Sequence, residues 1–326
     1  VSRRAVVGLV ALVALAAGLD LGGARPAAGE DAADPAERAL SRAFARAVDR
    51  GATHLVAIRP AGDAARRRAR SGVVVAPGLV ATSASNVDVF GLDDLVVETG
   101  DGRALPATLR GRDLRLRIVL LRVAGLEQAP APALVEGERA AGTFVVALGG
   151  VLGGPGAPSA TSGIISVTGR FEGRADQVDA PLDASNAGGP LVDLDGRLLG
   201  VLVHVDDRLG ERSGVGFAVP VQRILAVLER LAQGDQLEAG WLGVVIPRQD
   251  DGPAGVSVRG VVPGSAAALA GVATGDRIVA LDERPIVNRR AFREAVADLY
   301  AGQRVELGVQ REGATMRLEL TLAPRR

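Results

Sequence analysis

The chain contains no cysteine, so disulfides, a thiolate nucleophile and a cysteine-based metal site are excluded. It contains no lysine either. All 38 cationic residues are arginines, and a Ser–Lys catalytic dyad is excluded. The 38 acidic residues balance them to a formal net charge of zero, so no basic footprint argues for nucleic acid. Clusters such as Arg66-Arg67-Arg68 read as solvated surface rather than phosphate sites. Aromatic residues make up only 2% of the chain, with one Trp and one Tyr. Histidine occurs twice, at His54 and His204. With so few candidates, any general base has to be sought position by position.

The 326 residues suffice for about two domains, each able to bury a core. Arg3-Arg4 followed by the apolar run Ala5–Leu19 reads as a charged region and a hydrophobic region of an export signal. The run is shorter than the ~20 residues of a membrane span. Residues 1–28 are therefore expected to be a signal peptide or an uncleaved N-terminal anchor. A linker and an amphipathic helix follow over 29–50, with Leu40, Phe44 and Val48 on one face. From Thr53 to Val219 short β-type runs dominate, among them His54–Ile58, Ile118–Val123 and Leu198–Val205. Asp101-Gly102 and Asp195-Gly196 mark tight turns. Val221–Leu231 returns to helical spacing, 232–239 reads as a linker, and 240–326 mixes strands with two helices. One helix starts at Ser265; the other spans Asn288–Leu299.

Two regions carry a resemblance. The first comprises GLVATSASNVDVF (Gly78–Phe90), GRDLRLRIVLLRV (Gly111–Val123), TSGIISVTGR (Thr161–Arg170), SNAGGPLVDLDGRLLGV (Ser185–Val201) and GVGFAVP (Gly214–Pro220). The second comprises GWLGV (Gly240–Val244) and VVPGSAAALAGVATGDRIVALDERPI (Val261–Ile286). In order and spacing the chain resembles the HtrA/DegP family of trypsin-like serine proteases with a C-terminal PDZ domain. The resemblance implies a mainly β fold: a trypsin-like double β-barrel over 51–231, followed by an α+β PDZ domain over 240–326.

The resemblance also locates the catalytic positions. The family's His position falls on Ser85, or on Asn86 if the alignment is anchored on Val87. The Asp position falls on Arg117 and the nucleophile position on Ala187. A serine nucleophile needs a base, and the base needs an anion. Losing the nucleophile or base of such a triad costs roughly 10⁶ in turnover. The expectation is thus a degenerate member, a pseudoprotease and not an enzyme. Ser185, Asn186 and Ala187 would form a remnant oxyanion loop. Ser185 is the nearby alternative hydroxyl, though it stands where the family has Gly and has no evident base. His204 is a candidate for ligand contact and His54 an ordinary strand residue.

The PDZ segment is expected to bind peptide as an added strand. By resemblance, Trp241-Leu242-Gly243-Val244 would hold the C-terminal carboxylate. Val245 and Ile246 would continue the edge, and the helix with Phe292 and Val296 would form the opposite wall. No cofactor and no metal site are expected. The expected partners are peptide C-termini or unfolded segments, an HtrA paralogue, and further copies of the chain, a trimer by resemblance. The expected location is the periplasm or cell envelope. Two alternatives stay open: an endopeptidase using another constellation, and a non-catalytic partner subunit of an active paralogue.

Overall fold

The computed structural model describes residues 34–61, 69–90, 94–135, 137, 139–150, 158–203, 215–249, 252 and 254–324. The segment 1–28 and His204 lie outside the described residues. A helix, Pro35–Ala52, buries Ala47 in the core, while Phe44 meets Phe144 edge-to-face at 6.3 Å.

Six strands form the first barrel: β1 (Leu55–Pro60), β2 (Arg70–Ala76), β3 (Leu79–Ser83), β4 (Leu95–Glu98), β5 (Ala104–Asp113) and β6 (Ile118–Val123). They are ordered β5-β4-β1-β2-β3-β6, and β5 pairs with β6 to close the ring. Closure removes the exposed edges that an open sheet would present. The strands read as apolar runs rather than strict alternation because the outer face is covered as well. Val119, Leu120 and Leu121 are all 0% exposed, divided between the barrel interior and neighbouring layers.

The second barrel comprises β7 (Phe144–Gly149), β8 (Ser159–Gly169), β9 (Ala175–Val178), β10 (Pro190–Val192), β11 (Leu198–Val203) and β12 (Gly216–Pro220). It closes in the order β10-β11-β12-β9-β8-β7. The helical stretch after it is broken into Val221–Leu225 and Leu228–Gln233, because Val227 leaves helical geometry at φ −118° and turns into the core. A short helix, Ala84–Phe90, follows β3; no periodic signal marks it in the sequence.

The chain then runs through β13 (Gln236–Leu237), which pairs in parallel with the end of β5. The C-terminal module follows: β14 (Gly240–Trp241), β15 (Val244–Val245), β16 (Val256–Ser257), β17 (Gly260–Val261), β18 (Arg277–Leu281), β19 (Arg284–Pro285), β20 (Arg304–Arg311), β21 (Ala314–Thr321) and β22 (Ala323–Pro324). Its two helices are Ala266–Leu269 and Arg289–Ala297. Ser265 and Asn288 cap them, accepting from the N–H groups of Ala268 and Ala291. The module has its own core, built on Leu242, Ile278, Phe292, Leu307 and Leu320.

Candidate active site and peptide groove

Hydrogen bonds bring four separate segments together, at Ser71, Thr82–Asn86, Arg117 and Ser185–Ala187. Asn86 sits in the Ala84–Phe90 helix and is 2% exposed. Its amide Nδ2 donates to the carbonyl of Ala187 at 2.7 Å, to Thr82 Oγ1 at 2.9 Å and to the Ser71 carbonyl at 3.2 Å. Ser71 Oγ donates to the Ser185 carbonyl at 2.6 Å. The Ala84 N–H donates to the Arg117 carbonyl at 2.8 Å. Ser85, Arg117 and Ala187 thus stand on segments directly tied to one another.

The side chains at these positions are placed differently. Ser85 is half-buried, with its hydroxyl 2.9 Å from Ser83 Oγ. Arg117 is exposed and its backbone is left-handed at φ 57°, an uncommon conformation for a non-glycine residue. Ala187 is 8% exposed. Asn86, the alternative position, has its amide committed inward.

The loop before Ala187 is held by Asp183. Its Oδ1 accepts from the Ser185 N–H at 2.7 Å and from Ser185 Oγ at 2.5 Å. The Ser185 N–H, expected to belong to a remnant oxyanion loop, therefore points at a carboxylate. The sequence reading finds no base beside Ser185; the fold places this one there. The Asp-x-Ser spacing, a local side-chain-to-backbone turn motif, is the signal that could have shown it. Chemically the pair is a hydroxyl on a carboxylate, a weak base for an alcohol proton. Asn186 is also buried, and its Oδ1 accepts from the Asp183 N–H. Gly188, at φ 85°, is required sterically. A Cβ there would lie 2.2 Å from the Ser71 carbonyl oxygen. His54 is half-buried, and burial lowers its pKa.

In the C-terminal module Trp241 is half-buried on β14, which pairs with β22. Leu242 is buried, and its carbonyl accepts from the Ala267 N–H at 2.9 Å. Gly243 turns the chain at φ 82°, where a Cβ would meet Ser265 Cβ at 2.1 Å. β15 pairs with β17 alone among the described strands. The carbonyls of Gly243 and Val245 both accept from that side, from the N–H groups of Val262 and Arg259. By strand alternation the backbone groups of Val244 and Ile246 face the other edge. Val245 is exposed, and Ile246 is half-buried. The Arg289–Ala297 helix packs beside β14. Phe292 belongs to the module core, whereas Val296 is half-buried against it.

Two closed six-stranded barrels joined by a polar network define a trypsin-like peptidase fold, here followed by a PDZ module. The family profile for a trypsin-like peptidase domain matches residues 70–201, and that for a PDZ domain matches 240–322. The chain belongs to the HtrA/DegP family. It is 31% identical over 280 residues to a probable periplasmic serine endoprotease, DegP-like, of Pseudomonas fluorescens, covering 81% of this chain and 58% of that one. It is 30% identical over 270 residues to the periplasmic serine endoprotease DegP of Salmonella typhimurium, covering 77% and 56%. The chain thus spans somewhat over half the length of these relatives. Among solved structures, the HtrA-type protease AlgW with tripeptide superposes with a TM-score of 0.70 at 28% identity, covering 87% of this chain and 97% of that one. The serine endoprotease from Yersinia pestis superposes at 0.66 with 26% identity, covering 87% and 98%. The mainly β fold and the periplasmic or envelope location are thereby established.

These names correct one expectation. The sequence reading makes the chain a non-enzyme, while its relatives are named serine endoproteases and its structural neighbours are HtrA proteases. Three side-chain identities, at Ser85, Arg117 and Ala187, carry that expectation. Such identities state which atoms occupy three positions; they do not measure turnover on a scaffold whose two barrels are closed.

Proposed function

We propose that the chain is an envelope protein of the serine endoprotease family that captures polypeptides by their free C-termini through its PDZ module. The observation that carries this reading is the open edge of β15 beside the Gly243 turn. An extended peptide would gain main-chain hydrogen bonds from Val244 and Ile246. Its carboxylate would lie at the N–H groups of the Trp241–Val244 loop. AlgW, a structural neighbour, is described with a tripeptide and with a decapeptide. Phe292 supports the groove from beneath, and Val296 lies nearer its surface. Such a small interface corresponds to micromolar affinity, about −7 to −8 kcal/mol. Amidating the peptide removes the charge and is expected to cost about 1.5–3 kcal/mol. Isothermal titration of matched acid and amide peptides checks this; equal affinities would refute the carboxylate assignment.

The same reading includes assembly, with further copies or with an HtrA paralogue. Leu40 is 42% exposed and Phe144 is 49% exposed, and Phe144 borders the Pro35–Ala52 helix through Phe44. Buried in a trimer, these side chains would leave water. Sedimentation equilibrium is expected to show a trimer that Leu40→Asp with Phe144→Asp converts to monomer. A monomer in the unaltered chain would remove assembly from the reading.

A further inference from the structure

We propose that the PDZ module is locked onto the double barrel by a joint built on Tyr300 and Asp298, so that the two hold one orientation in solution and unfold together. The proposal is independent of peptide capture.

Tyr300 follows the Arg289–Ala297 helix, yet its ring is buried in the core of the barrel region, with Val227, Leu231 and Leu237. It is the chain's only tyrosine, and it is 7% exposed. Its hydroxyl donates to Asp113 Oδ2 at 2.7 Å and accepts from Arg115 Nη2 at 2.5 Å. Asp113 is 0% exposed, and its other oxygen accepts the N–H groups of Arg115 and Leu116 at 2.9 and 2.8 Å. The turn between β5 and β6 is therefore organised by the same carboxylate that receives Tyr300. The Arg115 guanidinium lies 4.1 Å from the Tyr300 ring centroid and donates to the Ala297 carbonyl.

Asp298 forms the outer half of the joint. It accepts from Arg223 at 2.6 Å on the barrel side and from Arg284 at 3.2 Å on the PDZ side. Arg293 pairs with Glu172 of the β8–β9 turn. The connection itself is tied down. β13 is a strand of the first sheet, and the Ala301 N–H donates to the Glu238 carbonyl at 3.0 Å. Swinging the PDZ module away would expose the ring and strip a fully buried carboxylate of its hydroxyl partner. Buried polar groups that lose partners are costly, so intermediate orientations are disfavoured. A flexible tether would show none of these features.

The absence of cysteine makes the test direct. Ala104→Cys and Thr315→Cys place one spin label on each side, both at exposed positions. Dipolar spectroscopy is expected to give one narrow distance population, and calorimetry a single unfolding transition. Adding Tyr300→Ala and Asp298→Ala is expected to broaden the distances and split the transition in two. If that variant does not fold, Arg223→Gln with Arg284→Gln, at partly exposed sites, is expected to broaden the distances instead. A broad population in the labelled parent, or a narrow one surviving loss of the joint, would overturn the proposal.

Discussion

Asn86 shows how one side chain can set the geometry of a distant loop. Its amide reaches the carbonyls of Ser71 and Ala187 and the hydroxyl of Thr82 at once. All four groups are withdrawn from water. Asn86→Ala would leave the Ala187 carbonyl without its 2.7 Å donor. The expected loss of stability is about 1–3 kcal/mol, the cost of an unsatisfied buried polar group. Urea denaturation of the variant measures it; a change under 0.5 kcal/mol would show that water replaces the amide. This role was not legible in the sequence. Asn86 could be weighed there only as an alternative His position. Its true partners are set by long-range strand pairing, which no local pattern encodes. Asp183 was closer to legible, because its bond to the Ser185 N–H spans two residues. The identities at 85, 117 and 187 could be read directly, whereas the hydrogen bonds between their segments could not.

At the scale of elements, legibility followed periodicity. The runs His54–Ile58 and Ile118–Val123 became β1 and β6 within a residue or two, and the described part of Leu198–Val205 became β11, because apolar β-branched runs between turns have few alternatives. The Ser265 and Asn288 helix starts were legible from their capping side chains. The expected linker 232–239 instead contributes β13, two residues whose pairing with β5 depends on tertiary placement. A second long-range tie holds the PDZ sheet. Asp276, 1% exposed, accepts both Arg311 Nε and Nη2, at 2.7 and 2.9 Å, and also the Ala273 N–H at 2.8 Å. The Arg311 hydrogen bond holds its carboxyl below the usual aspartate range. A depressed carboxylate contributes stability above its unfolded pKa, and that stability is lost as pH falls through the lower folded value. The contribution is therefore complete above about pH 4 and fades below it. Asp276→Asn is expected to cost about 1.5–3 kcal/mol at neutral pH, because a hydrogen bond to a charged group is lost. The gap between variant and parent should close under acid. A gap independent of pH from 7 to 2, measured by thermal melts, would show that charge is not what holds this corner.

The composition governs the behaviour of the whole molecule in alkali. With no lysine and no cysteine, nothing among the 326 residues titrates at ordinary values between about pH 8.5 and 12 except the single tyrosine. Arginine stays charged throughout. Tyr300 is pushed above its usual range, first by burial and then by the Asp113 carboxylate beside it. The net charge, formally zero at neutrality, should change by less than about one unit between pH 8.5 and 11. Electrophoretic mobility over that interval is expected to be flat, where a lysine-containing chain would turn increasingly anionic. Stability should show the same plateau with a defined end. A group whose folded pKa is raised contributes stability below its unfolded pKa, and loses it as pH rises through the folded one. For a tyrosine the loss begins near pH 10, the unfolded value. Unfolding free energy should therefore hold steady to about pH 10 and then fall, with a slope of up to one proton assigned to Tyr300. In Tyr300→Phe the slope should vanish, even though losing the hydroxyl lowers the plateau. Denaturant melts of both chains from pH 8.5 to 11.5 decide the matter. A decline that starts well below pH 10, or one that persists unchanged in Tyr300→Phe, would place the alkali-sensitive group elsewhere and detach it from the joint between the barrels and the PDZ module.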